Sequence, residues 1–281
     1  MLQLERLYNL DGKLFPENEH NISINNRSFR FGDGFFETMK LIDGCIQLKE
    51  LHFERIVYSL ETLGFTLSKH FSYDCLAQQI SEVAHKNVHS KLARIRVNFF
   101  RRDGELFTVD NNVPHILIQS FQLNLSVNEL NENGLVIGLY KIAKKSCDVF
   151  SNIKSNNYLP YIMAAMWAKE NKLNDALLLN YNNNITDSCI ANVFIVKNKT
   201  IITPALTEGC VAGVMRKHII ATLKQHGIEV AETALNIDDI ANADEVFLTN
   251  AIKGMMWVKQ FADTTYSNIE TQKIYKTIFK S

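Results

Sequence analysis

The chain of 281 residues has no excess charge of either sign, because 30 basic and 30 acidic side chains cancel. Without a surplus of Lys and Arg there is no global field to recruit nucleic acid or an acidic membrane surface. No apolar run approaches the length needed to cross a bilayer. The opening "MLQLERLYNLDGKLF" reaches Glu5 and Arg6 before any apolar segment of signal-peptide length has formed. Cysteine is sparse and odd in number: Cys45, Cys75, Cys147, Cys189 and Cys210 are scattered, with no C-x-x-C pair. That excludes a complete disulfide frame and a zinc knuckle, and it predicts free thiols in a reducing, cytoplasmic setting with no metal centre. Internal repeats and low-complexity tracts are also missing.

What is present is an ordinary globular composition, 46% hydrophobic and 21% charged, on a chain long enough for two modest domains. The pattern predicts an α+β fold. Residues 1–121 form a smaller N-terminal domain, 122–134 a polar linker, and 135–281 a larger C-terminal domain. In the first, "FFETMKLIDGCIQL" reads as a hairpin turning at Asp43-Gly44. "KELHFERIVYSLETLGF" is a helix with Phe53, Ile56, Val57, Leu60 and Leu63 inward, and His52, Arg55, Ser59 and Thr62 on the opposite face. "YDCLAQQISEVAHK" predicts a second helix, and "ARIRVNFF" and "PHILIQSFQL" predict strands.

In the larger domain strands are expected in "GLVIGLYKIA", "DALLLN", "ANVFIV", "DEVFLTNA" and "GMMWVKQF", with "YNNNITDSC" as a turn-rich stretch. The helices are "LPYIMAAMWAKENKL", with Pro160 in its first turn, "GVMRKHIIATLKQHG", and "IETQKIYKTIF". Ser267 and Glu270 have the spacing of a capping box for the last of these. No regular βαβ repeat is evident.

Chemistry is concentrated in a few segments. "SNIKSNNYLP" carries Lys154 among small amides and hydroxyls, with no carboxylate beside it in sequence. A lone lysine at a strand–helix junction is by default a solvated charge; a reactive one must be able to lose its proton. "FRFGDGFFET" holds the turn Gly32-Asp33-Gly34 directly before a strand.

Six segments in one order change the weight of each. "RSFRFGDGFFETMKLIDG", "LHFERI", "NIKSNNYLP", "ITDSCIANVFIVKNKTIITP", "GVMRKHII" and "DEVFLTNAIKGMMWV" together resemble the fold-type IV pyridoxal-phosphate enzymes, the class IV aminotransferases. The resemblance runs from about Arg27 to Val258, and it is closest in motif to the 4-amino-4-deoxychorismate lyases. It implies a two-domain fold like that of D-amino-acid and branched-chain aminotransferases, with pyridoxal 5'-phosphate between the domains. It also implies a homodimer and a small amino-acid-like substrate.

Carried over residue by residue, the resemblance makes Lys154 the Schiff-base lysine and general base. Arg55 becomes a phosphate ligand, the backbone of Gly213, Val214 and Met215 a helix N-terminal phosphate site, and Thr249 a hydroxyl to the same anion. Tyr158 is implied at the cofactor's ring oxygen and Asp187 at its pyridine nitrogen. Two positions depart from the family pattern: Asp187 stands where glutamate is usual, and Met215 where many relatives have threonine. The shorter acid implies a closer ring, a bridging water or a weaker electron sink.

Within the family, Thr38 after Phe-Glu and "TNA" favour the lyase, since branched-chain aminotransferases tend to have glycine at the position of Thr38. The alternatives are an amino-acid aminotransferase and a cofactor-binding homologue with little catalysis. Arg94, Arg96, Arg101 and Arg102 are candidates for substrate carboxylates. Asn250 and Asn192 are either site groups or turn formers. Lys253 reads as solvated or substrate-facing, and Met255-Met256-Trp257 as core or dimer packing.

Overall fold

The structure is a computed structural model and describes residues 5–67, 71–109 and 112–280. The chain divides into two compact units. One runs to Ser126 and takes back the short segment Lys154–Asn157; the other holds Val127–Ile153 and everything from Tyr158 on. Nothing in the sequence pattern signals the return of Lys154–Asn157 to the first unit.

The first unit is built on one antiparallel sheet. Its elements are β1 (Leu7–Leu10), β2 (Lys13–Pro16), α1 (Arg27–Phe31), β3 (Gly34–Ile42), β4 (Cys45–Ile46), α2 (Lys49–Thr62), α3 (Tyr73–Lys86), β5 (Leu92–Phe100) and β6 (His115–Gln122). The strand order is β2-β1-β6-β5-β3-β4. Asp43 and Gly44 close the β3–β4 hairpin with φ of 47° and 77°, as a two-residue turn requires. Alternation sends Phe35, Met39 and Leu41 of β3 and Ile95, Val97 and Phe99 of β5 to one buried face. Helices α2 and α3 lie against this sheet.

Glu37 falls on that buried face by the same alternation. This overturns the expected polar face of α2. His52 and Ser59 are buried, not outward, because His52 reaches Glu37 and Ser59 Oγ donates to the Arg55 carbonyl at 2.8 Å.

The second unit contains β7 (Leu135–Lys145), α4 (Leu159–Glu170), β8 (Asp175–Asn180), β9 (Ile185–Ser188), β10 (Asn192–Lys197), β11 (Thr200–Pro204), α5 (Val214–Gln225), β12 (Val230–Thr233), α6 (Ile237–Ala241), β13 (Glu245–Asn250), β14 (Gly254–Phe261), β15 (Thr264–Thr265) and α7 (Ile269–Phe279). Its sheet runs β12-β11-β10-β13-β14-β7-β8-β9, with β15 paired to β14. Parallel pairing of β7 with β8 and of β11 with β12 makes two βαβ crossovers, through α4 and α5, where no such unit was expected. Strand β8 is buried along its whole length, with Leu177 and Leu179 in one cluster and Ala176 and Leu178 in another beneath α4. That explains a continuous apolar run rather than an alternating one. Met255 and Met256 are core residues. Among the described residues no helix is long and apolar enough to cross a membrane.

Two more expectations fail. "YNNNITDSC" is not all turn: β9 begins at Ile185, so Asp187 lies on a strand. The capping box at Ser267 and Glu270 is not formed; the N-cap of α7 is Asn268, without a side-chain cap bond. A buried acid from another strand replaces it. Glu245 accepts from Ser267 Oγ and Glu270 N–H, both at 2.9 Å, and from Thr271 N–H and Oγ1, both at 2.7 Å. A carboxylate at a helix N-terminus satisfies amides that the helix itself cannot.

Glu245→Ala should therefore lower stability by about 3 kcal/mol, since it strips several buried donors at once. Glu270→Ala should change it by no more than about 0.5 kcal/mol, the ordinary effect of a surface substitution. Denaturant titration compares the two, and equal losses would contradict capping by Glu245.

Candidate active site

In the first unit, Lys154–Asn157 lies along the start of β3. Phe36 N–H donates to the Lys154 carbonyl at 3.0 Å and Asn156 N–H to that of Gly34 at 2.9 Å. Asn156 Nδ2 also donates to Ser28 Oγ at 2.9 Å. A Cβ on Gly34 would meet Asn156 Nδ2 at 2.8 Å and the Phe99 carbonyl at 2.5 Å. Glycine is needed there because a second backbone crosses it.

Asp33 in the same turn is gripped by Arg27 at 2.8 Å and Arg101 at 3.1 Å. Arg101, a candidate for substrate, is committed instead to the fold: it also donates to Asn112 Oδ1 at 2.7 Å and the Leu63 carbonyl at 2.5 Å. Arg102 likewise holds the Val113 carbonyl at 3.2 Å and Asp11 at 3.5 Å.

The ammonium of Lys154 sits 4.6 Å from the centroid of the Phe36 ring, and the guanidinium of Arg96 3.8 Å from the same centroid. Cations are drawn to the negative face of such a ring. Thr38 stands opposite Arg96 and Lys40 opposite Arg94 in the β3–β5 register. By alternation Phe36, Thr38, Lys40, Arg94 and Arg96 share the sheet face turned away from the helices. Arg94 is exposed and lies over Phe121 at 4.5 Å. Burial lowers the Lys40 pKa from its ordinary value.

Arg55 is not a solvated helix arginine. Its Nε and Nη2 donate to Glu37 at 2.6 and 2.8 Å, and His52 Nδ1 lies 2.8 Å from the same carboxylate. One edge of the guanidinium fork is thus spent on Glu37. Burial alone would raise the Glu37 pKa, but the charge of Arg55 and the bonds from His52 and Arg55 hold it down at about 2.

In the second unit Asp187 is the centre of a buried polar cluster. Lys145 Nζ approaches its two oxygens at 3.1 and 3.0 Å, and Tyr161 donates its hydroxyl at 2.9 Å. Thr186 Oγ1 donates at 2.8 Å and Val211 N–H at 3.0 Å. Asp187 has no part in the Asn182–Asn184 turn, which Asn180 Oδ1 holds by accepting from Asn182 and Asn184 N–H at 2.9 and 3.0 Å. Tyr158 stacks on Tyr161 at 4.4 Å and donates its hydroxyl to the Cys189 carbonyl at 3.0 Å. Desolvation first, then the Asp187 charge, raises the Tyr161 pKa well above its ordinary value, so this phenol stays a donor.

The same unit holds a cradle. Helix α5 opens at Gly213 with no side-chain cap, leaving its first amides, those of Val214 and Met215 among them, without the usual capping oxygen. The side chains of Val214 and Met215 are buried in the core, so only their backbone can serve a ligand. A Cβ on Gly213 would lie 1.8 Å from Asn192 Oδ1. Asn192, whose Nδ2 donates to the Val211 carbonyl at 2.8 Å, pairs in register with Thr249. Thr249 Oγ1 is buried and has no hydrogen-bond partner among the described residues. An orphaned hydroxyl near an uncapped helix N-terminus fits an anion such as phosphate. Asn250 is spent differently: its Oδ1 accepts from Ile252 and Lys253 N–H at 3.0 and 2.8 Å, closing the β13–β14 turn.

Sequence reasoning missed Glu37, His52, Lys145 and Tyr161. A signal existed for Glu37, an acid on the alternating core face of "FFETMKL". None existed for Lys145 or Tyr161, which meet Asp187 only through the sheet order and the packing of α4 on it.

Each unit thus carries groups of a kind that a phosphate-bearing cofactor calls for: a lysine beside an aromatic ring in the first, and an anion cradle in the second. The family described as amino-transferase class IV matches residues 34–261, and the chain belongs to it. Enzymes of this family use pyridoxal phosphate on small amino-acid substrates. An aminodeoxychorismate lyase from Vibrio harveyi is 25% identical over 84% of this chain and 85% of its own length. A putative branched-chain-amino-acid aminotransferase from Methanocaldococcus jannaschii is 26% identical over 96% of this chain and 92% of its own. The structure of the branched-chain aminotransferase from Thermoproteus uzoniensis superposes with a TM-score of 0.87, covering 98% of this chain and 93% of that one at 21% identity.

Because the Glu37 pKa is depressed, its contribution to stability is present above the ordinary carboxylate value of 4.5 and is lost as pH falls toward about 2. That contribution is on the order of 3 kcal/mol. Acid titration of the folded state should show Glu37→Gln less stable than the parent at neutral pH, with the gap closing below pH 4.5. A gap independent of pH would contradict the ion-pair account.

Proposed function

We propose that the chain is a 4-amino-4-deoxychorismate lyase, releasing pyruvate to leave 4-aminobenzoate. The observation that carries this reading is the cationic sheet face at the reactive lysine. Arg96 shares the Phe36 ring with Lys154, and Lys40 and Arg94 follow on the same face. A substrate with more than one carboxylate suits several cations better than an amino acid with one. Arg96 is the principal carboxylate ligand in this reading and Arg94 the outer one.

Pyridoxal phosphate would supply an electron-accepting ring. Lys154 would hold the cofactor and would take the proton from the amine-bearing carbon of the substrate. Thr38, opposite Arg96 on the same face, orients the substrate or relays that proton. Gly213, Val214, Met215, Thr249 and Arg55 would hold the phosphate, Asp187 would serve the pyridine nitrogen, and Tyr158 the ring oxygen. A cytoplasmic homodimer is part of the reading.

An amino-acid aminotransferase is the competing reading, because relatives of similar identity carry both names. Purified protein should show the visible absorbance of lysine-linked cofactor, and Lys154→Ala should lose it together with all cofactor fixed by borohydride. Supplied with aminodeoxychorismate, the parent should release pyruvate and 4-aminobenzoate in equal amounts. Arg96→Ala should lower kcat/KM roughly 30-fold, about 2 kcal/mol of transition-state binding. Turnover of a branched-chain or D-amino acid with 2-oxoglutarate, and none of aminodeoxychorismate, would reject the lyase.

A further inference from the structure

Between the single turn Leu206–Glu208 and the start of α5, the backbone of residues 210–213 belongs to no strand or helix. Backbone without a ladder must find its partners among side chains or water. Here side chains of the second unit supply them. The Cys210 carbonyl accepts from Asn152 Nδ2 at 2.7 Å, and the Val211 carbonyl from Asn192 Nδ2 at 2.8 Å. Val211 N–H donates to Asp187 at 3.0 Å, and Ala212 N–H to the Asn152 carbonyl at 3.0 Å.

After Ala212 the bonding stops. The next amides, those of Gly213, Val214 and Met215, are bonded by none of the described residues. Thr249 is 1% exposed, and its hydroxyl is unpartnered among the described residues. Its register neighbour Asn192 brings Oδ1 to where a Cβ on Gly213 would stand. A firmly tied loop therefore ends on a group of open donors.

Asn152 ties that loop three times. Besides the Cys210 carbonyl, its Nδ2 donates to the Leu206 carbonyl at 2.9 Å, so one amide gathers two carbonyls from four residues apart. Its own carbonyl takes the Ala212 amide, the last one before the open group. Asn152 is only half-buried, unlike Asp187 and Asn192. Water can reach the carbonyls it serves, so its loss frees the loop without stranding buried polar groups.

We infer that Asn152 is a positioning residue for anion binding: it fixes the loop Leu206–Ala212 so that the amides of Gly213, Val214 and Met215 converge on a phosphate monoester. It acts through the backbone and does not touch the ligand. Donors already held in place bind more tightly, because less ordering remains to be done on binding. The inference rests on the proposed reading of the α5 N-terminus as the phosphate site.

The test compares pyridoxal 5'-phosphate with pyridoxal, which keeps the ring and aldehyde but lacks the phosphate. Both are titrated into the full chain and followed by intrinsic fluorescence. The parent should prefer the phosphorylated form. In Asn152→Ala that preference, the ratio of the two Kd values, should shrink roughly tenfold while the Kd of pyridoxal stays unchanged. Inorganic phosphate should weaken as a competitor of the cofactor by a similar factor. Asn152→Ser, which keeps one short donor, should move in the same direction and covers poor folding of the alanine variant. General loosening of the fold would weaken both ligands alike, so an equal loss for pyridoxal and its phosphate would overturn the inference. An unchanged preference in both variants would overturn it too. If the parent binds the two forms equally, the phosphate reading of α5 falls as well; if only the variants fail to differ from the parent, the role of Asn152 alone falls.

Discussion

Lys145 and Asp187 meet at 3.0 Å at the end of β7 and in the middle of β9, with β8 lying between those strands in the sheet. Tyr161, from the first turns of α4, closes the cluster, and the Val211 amide ties in the approach to α5. Four pieces of chain are fixed by one ion pair. Desolvating two charges costs several kcal/mol each, and a pair without further hydrogen bonds seldom recovers that. Here Tyr161 and Thr186 fill the remaining lone pairs, which lets the charges remain inside. The pair also marks where β7 must stop, since Lys145 is its last residue.

Other buried acids show what decides between the outcomes. Glu37 has a guanidinium against it, and its pKa falls to about 2 despite full burial. Asp175 has only neutral donors, Ser188 Oγ at 2.7 Å and the Ala176 and Cys189 amides at 2.8 and 3.0 Å. Burial wins there, and its pKa rises. Dipoles alone do not match a net charge in a low-dielectric interior. The thiols of Cys189 and Cys210 obey the same rule: desolvation and a nearby carboxylate push both upward, Cys210 to about 12. Both are thereby held as thiols, the less nucleophilic form.

How much of this was legible in the sequence follows from the range of each interaction. Periodicity and turn chemistry are local, so the Asp43-Gly44 hairpin, α3 and most strands of the second unit could be read directly. The family was legible through the order of motifs, because that order encodes a shared fold. The face of α2 was misread because His52 has no apolar signature; its burial depends on Glu37, 15 residues away in sequence. The capping of α7 was misread for a similar reason, since Glu245 lies on a strand and nothing in "SNIE" points to it. Lys145 stayed hidden because a lysine ending a strand is normally a solvated charge. Only the sheet order brings it to Asp187, 42 residues on.

On the face beside Lys154, two cations share one aromatic ring: Arg96 lies 3.8 Å and Lys154 4.6 Å from the Phe36 centroid. A guanidinium is a fixed charge, whereas an amine can give up its proton when its surroundings favour that. The negative face of the aromatic ring thus eases the repulsion between the two cations drawn to it. A Leu at position 36 would fill similar space yet leave two cations to repel across an apolar gap. The aromatic character of that residue, more than its size, is what allows a lysine and an arginine to gather at one position of β3.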